Sequence, residues 1–251
     1  LPLKTIPYTP ASLLKIIWPH LLLILVLLML GIIALRRSPL RKVALLFFVS
    51  LCGFSSAIAF TLASNMGLMA PPVQSLSFFG VMISNWLSFS AFLHFVFRFP
   101  TERDLIKPHP RLLPLFYFAP PAVILLIAVA FSGVSWDFWG WLQRFRNLFL
   151  PLFIFGIFFK HLVDYIKLPA PEPARNQIKL PLLAFWLSFG PYLFLYLIPN
   201  LIFNQPVIYF RTVILAFLAL PVAYLIALLR YRLFDIDKML SKIIAYVVII
   251  I

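Results

Sequence analysis

Residues 16–64 read IIWPHLLLILVLLMLGIIALRRSPLRKVALLFFVSLCGFSSAIAFTLAS. Two charge-free apolar runs, 16–35 and 43–64, flank a short segment that holds Arg36, Arg37, Arg41 and Lys42. Crossing the hydrocarbon core of a bilayer takes about 20 apolar residues in a helix. Inside lipid only a helix or a closed barrel satisfies its own backbone. The stretch therefore reads as two membrane spans joined by a basic turn.

The pattern repeats along the chain. Apolar runs bounded by charge or proline occur at 73–97, 112–132, 147–166, 180–203 and 206–229, and another starts near Ile243. The expected fold is all-α: a polytopic transmembrane helical bundle with seven complete spans plus the start of an eighth. Its expected parts are an extracytoplasmic lead-in over 1–15, the bundle over 16–229, a cytoplasmic amphipathic connector over 230–242, and the start of a further span over 243–251. The tight FNQPV connection at 203–207 predicts that the sixth and seventh spans form an antiparallel hairpin.

Composition agrees. The 251 residues are 63% hydrophobic and 11% charged, against about 45–50% and ~25% in a soluble domain. Mean hydropathy is +1.04. No soluble domain fits between the spans. Cys52, the single cysteine, lies in an apolar run and has no partner for an internal disulfide. The sequence opens at Leu1 and ends within AYVVIII, too short a run to cross a bilayer, so a longer parent protein is expected.

A net charge of +14 would point to nucleic acid in a soluble protein. Here the cations sit between spans, where they set orientation, and no nucleic-acid partner is expected. One side collects Arg36, Arg37, Arg41, Lys42, Arg98, Arg103, Lys107, Arg111, Lys160, Lys167, Arg175, Lys179, Arg230, Arg232, Lys238 and Lys242. The other has Lys4, Lys15, Arg144, Arg146 and Arg211. The positive-inside rule makes the first side cytoplasmic. The N-terminus of the chain is then outside, and residues 230–242 are inside.

Catalytic and transport chemistry find few residues. The acidic groups, Glu102, Asp104, Asp137, Asp164, Glu172, Asp235 and Asp237, all fall away from a bilayer midplane, which argues against an ion-coupled transporter, a pump or an intramembrane aspartyl protease. No zinc spacing, phosphate-binding glycine loop or nucleophile elbow is present. No metal site is expected. Haem or chlorophyll ligation would need a histidine within a span; only His94 and His161 lie at similar depth, and an interfacial hydrogen-bonding role is the expected one for both. Asn85 is the most polar side chain well inside a span. It is expected to hydrogen-bond a neighbouring helix, or to contact a ligand together with nearby serines.

The most charged passage is LLRYRLFDIDKMLSK at 228–242. Leu229, Leu233, Ile236, Leu240 and Ile243 recur at steps of four and three, a one-faced helical stripe with charged residues around it. Two readings stay open. The segment is either a connector lying in the inner interface, with its cations near anionic headgroups, or an element that couples the bundle to an output beyond it.

RYRLFDIDKMLSKIIAYVV at 230–248 resembles the juxtamembrane signature of the multi-span membrane region of bacterial sensor histidine kinases of the competence quorum-sensing type. AFLHFVFRFPTER at 91–103 is similar to a second hallmark there, Leu-His-Phe at the inner end of a helix followed by Phe-Pro-acidic. The opening LPLKTIPYTPASLLKIIWPHLL resembles the exit from a small extracytoplasmic PDZ-like domain into a span. The resemblance implies a signal-transmitting bundle in the bacterial inner membrane, an extracellular ligand and a cytoplasmic kinase beyond Ile251. It also implies coupling through Arg230, Arg232, Asp235 and Asp237, with His94, Phe99 and Pro100 shaping the adjacent inner loop. No catalytic residue falls in these 251 residues. The partners are membrane lipids and an unidentified extracellular ligand, and a homodimer is compatible with this reading. The alternative is an accessory or scaffold subunit of a larger respiratory or photosynthetic membrane complex, which the aromatic content of 17% also fits.

Overall fold

A computed structural model describes residues 10–65, 71–100, 117–118, 122, 126, 155–168, 173–203 and 205–229. Among these the architecture is all-helical. We number the helices α1 (Pro10–Arg37), α2 (Arg41–Asn65), α3 (Pro71–Arg98), α4 (155–167), α5 (Pro173–Pro191), α6 (Ile198–Phe203), α7 (Phe210–Val213) and α8 (Ala219–Leu229). A π-helical segment, Tyr192–Leu197, links α5 to α6, and a 3-10 segment, Ile214–Leu218, links α7 to α8.

Among the described residues, four helical stretches are long and apolar enough to cross a membrane: Ile17–Arg37, Arg41–Leu62, Phe79–Arg98 and Ala174–Asn200. The chain thus has the make-up of a multi-pass membrane protein. These four match the first, second, third and sixth expected spans. The seventh, 206–229, contains a shorter apolar helix over Ile214–Leu229. Most of 112–132 and the first half of 147–166 lie outside the described residues, as do Arg230, Arg232, Asp235, Asp237 and the segment 243–251. Helix α1 begins at Pro10, inside the expected lead-in.

Local chemistry sets the turns. Pro39 disfavours helix at Ser38, and α1 ends at Arg37 with two arginines against the negative end of its dipole. Ser38 Oγ accepts the Leu40 amide at 3.1 Å, and Leu40 O accepts the first bond of α2 from Ala44 N at 2.9 Å. At the other hairpin, Pro199 has no N–H for the carbonyl of Leu195. That carbonyl accepts instead from Val207 N at 2.9 Å and Ile208 N at 3.2 Å, folding the connection back onto its own helix.

Helices α2 and α3 run antiparallel at close range because small residues face each other. A Cβ on Gly53 would lie 2.7 Å from Ser88 Cβ and 2.9 Å from Ser88 Cα. Ser88 Oγ donates to Ser50 O at 2.7 Å, and Ser77 Oγ to Phe60 O at 3.2 Å. Packing then passes from α2 to α1, from α1 to α8 and from α8 to α5. Phe158 packs on Phe185 at 4.6 Å, the two rings tilted by 32°, to bring α4 against α5. The buried core inside these helices is Leu-, Ala- and Phe-rich, with Phe47, Phe95 and Tyr224 fully enclosed.

Candidate functional site

The motif helix α3 ends in LHFVFRFP, residues 93–100, with a cis peptide between Phe99 and Pro100. Helical spacing divides its side chains. Phe92, Phe95 and Phe99 recur at steps of three and four and point into the core, all buried. The rings of Phe92 and Phe95 stack at 5.8 Å, and those of Phe95 and Phe99 at 5.5 Å.

Tyr224 of α8 stands edge-on to this ladder, 5.5 Å from Phe92, 5.0 Å from Phe95 and 5.7 Å from Phe99, and it also meets Phe47 of α2 at 6.3 Å. Edge-to-face contacts of this kind add about 0.5–1.5 kcal/mol per pair beyond area burial. The tyrosine carries a hydroxyl into the core, and a buried hydroxyl needs a partner. His161 Nε2 of α4 lies 2.5 Å from Tyr224 Oη.

Among the described residues His161 is the only hydrogen-bond partner of Tyr224, and which of the two groups donates follows the imidazole tautomer. Nδ1 is buried and has no partner among the described residues.

Lys160, next to His161 in sequence, reaches a different helix. Its Nζ donates to Val96 O at 2.5 Å and Phe99 O at 3.2 Å, and it pairs with Asp164 Oδ2 at 2.7 Å. An ammonium has three protons, and all three are used. Two of the carbonyls left open at the end of α3 are thereby satisfied, and the cation sits at the negative end of the helix dipole. Sequence reading had placed Lys160 among loop charges; it lies inside α4, and its side chain is only 20% exposed.

Consecutive residues of α4 thus fasten α3 through Lys160 and α8 through His161. The result is a joint of four helices at the end of the bundle where α1 and α3 terminate. Exposed Arg36, Arg37, Arg41, Lys42 and Lys167 lie at this same end. The geometry is suited to holding helices in register. Among the described residues, no group of three or more His, Cys, Asp and Glu comes together.

Of the residues singled out in sequence, Phe99 is part of the joint and Pro100 is buried beside it. His94 is buried on the other side of α3, where Nδ1 lies 3.1 Å from the hydroxyl of Tyr117. The two histidines at similar depth are therefore committed to different tyrosines. Asn85 is half-buried on α3, about 14 Å along the axis from His94, and is not part of the joint. Arg230, Arg232, Asp235 and Asp237 lie outside the described residues. Sequence reading missed the pairing of Lys160, His161 and Tyr224. The available signal was a Lys-His pair and an inner-end tyrosine, each within an apolar run, since intramembrane polar groups need partners.

Comparison of the chain with protein-family models, with curated proteins and with solved structures finds no match in any of the three.

Proposed function

We propose that the chain is the membrane-embedded sensor and signal-transmitting region of a two-component sensor histidine kinase of the bacterial inner membrane. It holds seven spans plus the start of an eighth, with its N-terminus outside. An extracellular ligand biases the packing of the helices, and α8 passes that bias through residues 230–242 to a cytoplasmic kinase. The ligand acts by binding two arrangements with different affinity.

One observation carries the reading: Phe99, the aromatic of the Phe-Pro hallmark, packs on Tyr224 at 5.7 Å. Tyr224 is on the helix that leads directly into RYRLFDID. A displacement of α8 therefore acts on the α3 motif and on the start of the connector together. The crowding of cations at the joint end supports placing that end in the cytoplasm.

The test uses the complete polypeptide in inside-out membrane vesicles supplied with labelled ATP. A phosphoryl group that is acid-labile and base-stable, the signature of phosphohistidine, is the expected product. Absence of labelling, with the protein recovered instead in a stable complex with other membrane subunits, overturns the reading in favour of an accessory subunit.

A further inference from the structure

The helix preceding the joint carries a built-in defect. Over Ile214–Leu218 the backbone is 3-10, and it closes with Ala219 N donating to Ala216 O. In an α-helix the carbonyl of Ala216 would serve Leu220 N. Since Ala219 has taken that carbonyl, Leu220 N turns outward and donates to Ser188 Oγ of α5 at 2.9 Å. Ser188 is fully buried, with no exposed surface. Pro221 comes next, and it has no N–H for the carbonyl of Phe217. The ladder is thus interrupted at two consecutive donors, one diverted and one missing.

The two backbone forms differ in length and in twist. A 3-10 segment rises about 2.0 Å per residue at three residues per turn, an α-helix about 1.5 Å at 3.6. Over the segment's 5 residues, conversion to α shortens the helix by about 2.5 Å and rotates the helix beyond it by about 100°. That helix is α8, which carries Tyr224. Mid-helix 3-10 segments often mark hinges, and here the alternative partner of the diverted amide is identified.

We propose that Ile214–Leu218 is a convertible segment, held in its extended 3-10 form by the hydrogen bond from Leu220 N to Ser188 Oγ. Its return to α-helix, when that bond opens, draws and turns α8 at the joint. Releasing Leu220 N from Ser188 restores its bond to Ala216 O, so this amide has an acceptor in both forms. The turn of α8 also moves Tyr224 relative to His161, and a ligand shifts the population only as far as it prefers one form over the other. Only the use made of the movement rests on the sensor reading.

The test is a distance. In the complete polypeptide reconstituted in lipid, with Cys52→Ala as background, spin labels are placed at Tyr209→Cys and Leu229→Cys, which bracket the segment. Ser188→Ala removes the acceptor and is expected to shorten the interlabel distance by about 2–3 Å. Ser188→Thr retains a hydroxyl and is expected to keep the parent distance. Should Ser188→Ala fail to insert, Pro221→Ala, which restores a donor to Phe217 O, carries the same expectation of shortening. A distance unchanged from the parent in the variant that inserts overturns the proposal. This readout needs no kinase output, so the convertible segment and the sensor reading stand or fall separately.

Discussion

His161 and Tyr224, 63 residues apart in the chain, meet through a 2.5 Å hydrogen bond in a setting otherwise walled by phenylalanine. Each leaves the other stranded if removed. Tyr224→Phe keeps the edge-on ring contacts and leaves Nε2 without its partner, which costs about 1–3 kcal/mol for a buried unsatisfied group. His161→Phe strands the hydroxyl in the same way. Equilibrium unfolding in mixed micelles is expected to show both variants destabilised, and the double variant less so than the two effects added. The coupling should fall near ~0.6–1.7 kcal/mol, the range of interhelical bonds in membranes. Strict additivity would mean that the bond contributes nothing.

Lys160 holds the end of α3 with two of its three bonds, and Asp164 takes the third. Lys160→Met opens the Val96 and Phe99 carbonyls and is expected to lower stability by about 1–3 kcal/mol. Asp164→Asn is expected to cost under about 1 kcal/mol, because the pair is partly exposed and solvent screens it. Thermal unfolding of the two variants side by side checks the order. An equal loss from both would show that the ion pair, and not the helix cap, is what Lys160 supplies.

Glycine substitutions separate close packing from open surface. Gly53→Ala drives a Cβ to within 2.9 Å of the Ser88 backbone, so α2 and α3 must part. A loss of about 1–3 kcal/mol is expected, as for other overpacked sites. Gly156→Ala meets nothing within 4 Å and should be neutral or stabilising by up to about 1 kcal/mol through helix propensity. The same unfolding assay reads both, and a Gly53→Ala variant as stable as the parent would contradict the close approach.

Charge in the connector is predicted to matter for output and not for insertion. In the complete polypeptide, Arg232→Gln combined with Asp235→Asn is expected to abolish the response of phosphorylation to signal while membrane yield stays at the parent level. A normal response would remove residues 230–242 from the coupling route.

Much of the fold was legible because apolar run length is a direct consequence of bilayer thickness. The expected 16–35, 43–64, 73–97 and 180–203 agree to within six residues at each end with Ile17–Arg37, Arg41–Leu62, Phe79–Arg98 and Ala174–Asn200, whereas the other three of the seven expected spans are not shown as complete among the described residues. The basic turn between the first two was equally plain. The joint was harder to read. Phe99 and Pro100 stand out in the sequence as residues expected to shape an inner loop, not as part of a joint, whereas Lys160 looks like an ordinary flanking cation and Tyr224 like one more aromatic in an apolar run. Which helix faces which is set by packing between distant segments, and the run pattern carries no term for it. The 3-10 segment was hidden for a similar reason: Pro221 announces a disturbed ladder, but only the position of Ser188 on a neighbouring helix shows where the freed donor goes.

A coupling role requires α8 to deliver the joint to the cytoplasm, and sidedness measures this directly. In a Cys52→Ala background, single cysteines at Arg37, Tyr209 and Ser241 are probed in intact cells with a thiol reagent that does not cross membranes. The prediction is labelling at Tyr209→Cys alone, with Arg37→Cys and Ser241→Cys reacting only after the membrane is opened. Labelling of Ser241→Cys from outside, with Tyr209→Cys protected, would contradict it.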